Sequence, residues 1–379
     1  MNFHDLGAQY AALQEKIDAQ IADVLATGQF ILGPKVRELE TRLADFVGRK
    51  HCITCANGTD ALSLVLLAWG IGAGDAVFTS DFTFFASAGC ASAAGATPVP
   101  VDIDLGTFNL SPAALEAAIL RIQAEGKLCP KVIITVDLFG LPANYPAIEA
   151  IAQKYGLRIL EDAAQGFGGS FNGKRAGAFG HAATTSFFPA KPLGCYGDGG
   201  AIFTDDDAEA TLLYSLRSQG CSPSDKYDNR FIGMNSRLDA LQAGILLPKL
   251  EALEAYELSA LDQSAALYTS LLGDVVTTPA IPGGYTSSWA QYSILVPHAA
   301  MRDGLQQHLK SQGIPSMVYY PRGIHQQSAY AHLQLPDTLF PNTLDASGRI
   351  LSLPMHPYLA AEEAAMVVSA VQAFIKMHV

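Results

Sequence analysis

Between residues 51 and 204, short apolar runs alternate with Ala-rich amphipathic stretches, and that alternation leaves few folds open to the chain. The runs HCITCA, DAVFTS, TPVPVDI, KVIITVDL, LRILED, AATTSF and GGAIFT read as strands of one sheet. DALSLVLLAW, FASAGCASAA and YPAIEAIAQKYG read as helices between them. Strand, helix and strand in succession require crossover connections, which pair strands mostly parallel and lay helices on both faces of the sheet. The expected class is α/β with a mostly parallel central sheet, and reactive side chains are expected outside the carboxyl ends of its strands.

After GGAIFT the pattern changes. A helix is expected over Ala208 to Ser218, then a polar loop, CSPSDKYDNRFIGMN, then a long helical region opening at SRLDALQAGILL and kinked by Pro248. From about residue 275 the segments YTSSWAQYSILVP, RDGLQQHLKSQGI and SMVYYP suggest a smaller α+β unit. With 379 residues, 49% of them hydrophobic, the chain can fill two cores. The division is placed at 1–245 for a large domain, whose N-terminal helix is free to pack elsewhere, and 246–379 for a small C-terminal one.

No apolar run reaches the roughly 18 residues of a membrane span, and the N-terminal stretch MNFHDLGAQYAALQEKIDAQIADVL carries charges through an amphipathic pattern. A cytoplasmic protein with no membrane partner is expected. The net charge of −12 argues against nucleic-acid binding, which needs a basic surface. Small anionic substrates remain open, with Arg237 and Arg322 as the local positive charge. Cys52 and Cys55 have metal or redox spacing, yet on a strand positions i and i+3 face opposite ways. Buried structural thiols are the expectation, and no metal site.

The segment TTSFFPAKPLGCYGDGGAIFT sets Lys191 in an apolar turn bounded by Pro and Gly. Partial desolvation lowers an ammonium's pKa and leaves free amine, as a carbonyl-condensing lysine needs. Upstream, the run LRIL ends in Glu161 and Asp162 at the carboxyl end of a strand. Adjacent strand residues face opposite ways, so only one of these carboxylates can meet a ligand. A Schiff-base lysine and a carboxylate for a pyridinium nitrogen are the two electronic handles of a pyridoxal phosphate (PLP) enzyme, and Gln165 is placed to hydrogen-bond the ring hydroxyl. Asn57-Gly58-Thr59 turns from a strand into a helix, whose first N–H groups suit a phosphate. Phe82, Phe84 and Phe85 follow the next strand, and position alone does not choose which of them could stack on a planar ring.

FILGPKVRELE, ANGTDAL, EDAAQ, SFFPAKPLGCYGDGGA and NSRLDALQA together, in this order, resemble the DegT/DnrJ/EryC1/StrS family of PLP-dependent nucleotide-sugar aminotransferases over essentially the whole chain. The resemblance implies a fold type I enzyme. Lys191 would carry the cofactor and move the proton, Asp162 would hold the ring nitrogen, Gln165 the ring oxygen, and Phe84 would stack on the ring. Gly58, Thr59 and Ser186 would bind the phosphate, with Asn235 reaching it from the neighbouring subunit of a homodimer with shared active sites. Arg237, Tyr319, Tyr320 and His325 would face substrate, and His356 lies in another segment near the active-site mouth. CANGTDAL, KPLGCYGDGGAIFT, NSRLDALQAGILLPKL and LSLPMHPYL are nearest the subgroup that aminates UDP-2-acetamido-2-deoxy-3-oxo-glucuronate for bacterial surface polysaccharide, with glutamate as donor. Where that pattern has His-Tyr-Pro, this chain has Tyr319-Tyr320-Pro321. Open alternatives are another keto sugar, such as a dTDP- or UDP-linked 4-keto-6-deoxy sugar, and a non-catalytic regulator binding PLP or a nucleotide sugar. A sugar dehydratase is disfavoured, because that branch resembles this one with His in place of Lys191.

Overall fold

The computed structural model describes residues 1–222, 224–225 and 227–378, so Pro223 and Lys226 of the expected polar loop lie outside the described residues. In chain order the elements begin with α1 (Leu6–Thr27), α2 (Pro34–Val47), β1 (His51–Cys55), α3 (Gly58–Ala68), β2 (Asp75–Ser80), α4 (Ala86–Ala93), β3 (Thr97–Val101), α5 (Pro112–Glu125) and β4 (Cys129–Val136). They continue through α6 (Tyr145–Tyr155), β5 (Arg158–Asp162), the short β6 (Ser170–Phe171) and β7 (Lys174–Arg175), β8 (Ala182–Ser186), β9 (Gly200–Thr204) and α7 (Asp207–Leu216). The C-terminal part holds α8 (Ala240–Ala252), α9 (Leu258–Leu272), β10 (Tyr285–Thr286), β11 (Tyr292–Leu295), α10 (Ala299–Ser311), α11 (Pro341–Arg349), β12 (Ile350–Leu353) and α12 (Ala361–His378).

All seven strands expected from the alternation enter one sheet, in the order β1-β9-β8-β5-β4-β2-β3. Pairings from β8 to β3 are parallel, whereas β9 runs antiparallel to both β1 and β8. The alternation of side chains feeds two faces: on β2, Val77 joins the apolar cluster built with α3, α4 and α7, while Ala76 and Phe78 join the one built with α5 and α6. Cys52 and Cys55 likewise enter different clusters, and burial pushes both thiols up in pKa.

α1 packs along α8, with Leu13 and Ile17 against Ile245 and Ala252. α8 runs through Pro248 to Ala252 without a break in its helical span. Pro248 has no N–H to give the Gly244 carbonyl, and the helix tolerates that loss where Leu246, Leu247 and Leu250 are all buried. The irregularity comes five residues later, as a π turn over Leu253–Glu257 that leads into α9. The cut expected at 245/246 falls inside α8, and the change of apolar cluster comes between Leu253, which packs with α2 and β9, and Leu261, which packs with β11, α10 and α12.

Candidate active site

The end of β5 separates its two carboxylates by face. Glu161 accepts hydrogen bonds from the amides of Gly177 and Phe179, both at 2.6 Å, and is wholly buried. Beside it, burial drives the Asp137 carboxyl well above the usual range, with Glu161 adding to the shift. Asp162 accepts instead from Ser87 Oγ (2.8 Å) and the Ala164 amide (3.2 Å), on the side where Lys191 acts on it. Burial raises its pKa, opposed by Ser87, Ala164 and the Lys191 charge, so a further cation against it would favour the ionised form.

Lys191 sits in a tight turn closed by its own amide on the Phe188 carbonyl (2.8 Å) and by the Cys195 amide on Phe187 (2.8 Å). From beneath, the buried Lys249 on α8 donates to the Gly194 carbonyl at 2.6 Å. Burial depresses the Lys191 ammonium pKa, with Asp162 pulling the other way. That is the desolvated amine expected from the segment.

The loop between β1 and α3 forms a cradle. Asn57 caps α3 through the Asp60 amide (2.8 Å), leaving the first-turn amides of Gly58 and Thr59 with no carbonyl inside the helix to bond. A Cβ on Gly58 would stand 2.7 Å from Ser186 Cβ at the end of β8, so only glycine lets the helix start this close to that serine. Among the three phenylalanines, Phe82 is core and Phe85 stacks on Tyr330 at 5.4 Å, while Phe84 is 57% exposed at the start of α4. Gln165 is buried, its Oε1 accepting from the Phe139 amide (2.8 Å) and its Nε2 donating to the Tyr320 hydroxyl (3.1 Å). Tyr319 is half-buried, edge-on to Phe3.

His325 engages Asp81 through Nδ1 (2.6 Å) and Asp337 through Nε2 (3.1 Å), and it is absent from the lining of the Lys191 pocket. It therefore locks two loops together, with both ring nitrogens engaged by side chains of its own chain. Burial works against its charge, but Asp81 and then Asp337 outweigh burial and raise its pKa. Because the folded pKa lies above the unfolded one, the stabilisation is complete below about pH 6.5 and is lost as pH rises through the raised value. Asp81→Asn should cost about 3 kcal/mol near pH 6 and remove that pH dependence; superimposable melting curves for variant and wild type across this range would refute the lock.

A pocket beside Lys191 is lined by His4, Gln9, Glu257, Trp289, His356 and Tyr358, whereas the Gly58–Ser186 cradle, Phe84, Asp162, Gln165, Tyr319 and Tyr320 lie outside that lining. His356 was a sequence candidate. His4, Gln9, Glu257 and Tyr358 were not, and none of them carries a local motif. Asn235 and Arg237 do not reach this pocket within the chain. They line a separate surface pocket of about 1200 Å³ with Phe231 and Ile232. Arg322 is exposed and lines neither.

Comparison with known proteins agrees with this geometry. Residues 11–372 match the DegT/DnrJ/EryC1/StrS aminotransferase family. The UDP-2-acetamido-2-deoxy-3-oxo-D-glucuronate aminotransferase of Pseudomonas aeruginosa is 48% identical over 95% of this chain and 96% of its own. A DegT DnrJ EryC1 StrS aminotransferase structure from Brucella abortus superposes with a TM-score of 0.96 at 48% identity, covering 99% of both chains. The structure of NtdA from Bacillus subtilis with bound cofactor PMP superposes with a TM-score of 0.86 at 28% identity, covering 96% of this chain and 82% of that one.

Proposed function

The chain belongs to the DegT/DnrJ/EryC1/StrS aminotransferase family, which is PLP-dependent, and from that premise we propose that it moves an amino group from glutamate to a keto carbon of a UDP-linked sugar. The acceptor in this reading is UDP-2-acetamido-2-deoxy-3-oxo-glucuronate, and the setting is the cytoplasmic synthesis of bacterial surface polysaccharide such as lipopolysaccharide O-antigen. One observation carries it: a depressed-pKa lysine faces a buried carboxylate in a chain 48% identical to an aminotransferase of that sugar.

The residues present fit the cofactor, since the Gly58–Ser186 cradle is too close for any side chain at 58 and its first-turn amides suit a phosphate. Bound there, the cofactor's pyridine ring withdraws electrons from the substrate carbon that gains or loses the amino group. Asp162 would keep a proton on the ring nitrogen, Gln165 would hold the ring oxygen and Phe84 would cover the ring face. Gly58, Thr59 and Ser186 hold the phosphate. Lys191, whose charged form burial disfavours, would move the proton between the substrate carbon and the C4′ carbon of the cofactor. Arg237, with Tyr319 and Tyr320, contributes to binding the acceptor.

This reading includes a homodimer in which Asn235 completes the neighbouring subunit's phosphate site and Arg237 its acceptor site. It is supported by the exposure of Asn235 in a pocket apart from its own chain's Lys191, beside Phe231 and Ile232, which are 49% and 88% exposed. Mixing inactive Lys191→Ala subunits with crippled Asn235→Ala subunits should then restore about a quarter of wild-type turnover, because mixed dimers carry one intact site each. No recovery after exchange of subunits would refute site sharing. The function itself is tested by reacting the protein with glutamate, then adding keto nucleotide sugars one at a time and following the cofactor spectrum. Failure of every UDP-linked 3-keto sugar to return the starting spectrum would overturn the assignment.

A further inference from the structure

The segment ahead of α1 returns to the C-terminal part of the chain, where the Phe3 carbonyl accepts from the Met355 amide (3.3 Å). This brings His4 and His356 into the pocket that holds Lys191. His356 is 5% exposed, and neither its Nδ1 nor its Nε2 makes a hydrogen bond of normal geometry among the described residues, although the Asn2 backbone lies near enough to act on the ring. Buried polar groups are nearly always paired, so two unpaired ring nitrogens bordering a pocket point to a ligand.

Asp5 and Glu257, the carboxylates of the pocket, already have partners. Asp5 accepts from the Ala8 amide (2.8 Å) and Asn2 Nδ2 (3.0 Å), and Glu257 Oε1 accepts from Gln9 Nε2 (2.9 Å) and the Tyr358 hydroxyl (2.8 Å). Burial lowers the His356 pKa, aided by the chain's terminal ammonium and opposed by Asp5, Glu363 and the Asn2 backbone; His4 falls to about 4 through burial, with His356 and Lys191 adding to it. The ring therefore stays neutral and offers one donor and one acceptor. A hydroxyl or a secondary amide matches that pair. A carboxylate does not, because it brings no proton and would face Asp5 and Glu257.

We propose that His356 reads an uncharged hydroxyl or acetamido group of the sugar acceptor, and takes no part in binding the dicarboxylate donor. This rests on the sugar aminotransferase reading and adds a specificity residue to it. The amino-donor and acceptor half-reactions can be run separately on the holoenzyme, since each changes the cofactor spectrum. His356→Phe should raise the KM for the keto sugar about 10- to 100-fold while the glutamate half-reaction stays within about twofold. His356→Gln, which keeps one donor and one acceptor, should recover most of the loss. His356→Met supplies the same comparison should the phenylalanine variant not fold.

Calorimetry with UDP-N-acetylglucosamine and with UDP alone gives a readout independent of turnover. The Phe or Met variant should lose affinity for the former and keep it for the latter. Equal losses in both half-reactions, an unchanged acceptor KM, failure of the Gln variant to recover, or no difference between the two nucleotides would each overturn the inference. A wild-type enzyme that accepts no keto sugar yet shows the calorimetric difference would sink the assigned reaction and leave the role of His356 standing.

Discussion

Lys191→Ala should abolish turnover while leaving the fold intact. Loss of the proton carrier alone is worth about 10²- to 10⁴-fold, and loss of covalent attachment adds to it. The turn itself should survive, because it is closed by backbone bonds from Lys191 and Cys195 and by Lys249 on Gly194, none of which uses the Lys191 side chain. Removing an amine whose charged form is penalised by burial should leave the melting temperature unchanged or slightly higher. The check is spectral: the visible band of the lysine-linked cofactor should vanish from purified variant protein given PLP. A retained band would transfer the linkage to another lysine.

Asp162→Asn should follow closely. A carboxylate about 4 Å from a pyridinium, at an effective dielectric near 20, contributes on the order of 4 kcal/mol to keeping the ring protonated, and its loss corresponds to roughly a thousandfold in rate. Asparagine can keep contacts with Ser87 and the Ala164 amide, so the defect should lie in turnover rather than folding. Glu161→Gln should do the reverse and weaken the fold, since Glu161 takes the amides of Gly177 and Phe179 in a fully buried site. If well-folded Glu161→Gln is inactive and Asp162→Asn is not, the two faces of β5 have been assigned the wrong way round.

The seven strands were legible because each is a short apolar run bounded by turn residues, and the opposite faces of Cys52 and Cys55 followed from strand periodicity alone. The depressed amine at Lys191 was legible from its apolar neighbours. The reversal of β9 was hidden, since a run such as GGAIFT carries no sign of its direction. The partners of His325 were hidden too, because Asp81 lies 244 residues away in sequence. Glu257 reaches the pocket from a π turn, which shifts the helical phase that a periodic reading assumes. His4 enters through a backbone contact to Met355 for which the N-terminal segment has no local signal. Phe84 was singled out by the family resemblance alone, and the burial of Phe82 and the stacking of Phe85 on Tyr330 had no local signal.

Beyond the Pro189–Pro192 turn, the walls of the Lys191 pocket come from residues 4–9, 257–261, 288–290 and 355–358, whereas the cradle and Asp162 lie between 57 and 186. Most of the pocket's shape is thus inherited from stretches other than the one that carries the cradle and Asp162, and the two meet at the Lys191 turn. A chimera that keeps the middle of this chain and takes both ends from a relative with another sugar preference would exchange most of this lining as a block while leaving Arg237 in place. The two ends would have to travel together, because Phe3 and Met355 meet across the seam. Recombination that split them would leave a hybrid pocket fitted to neither sugar, so diversification of such enzymes is expected to proceed by paired replacement of their termini.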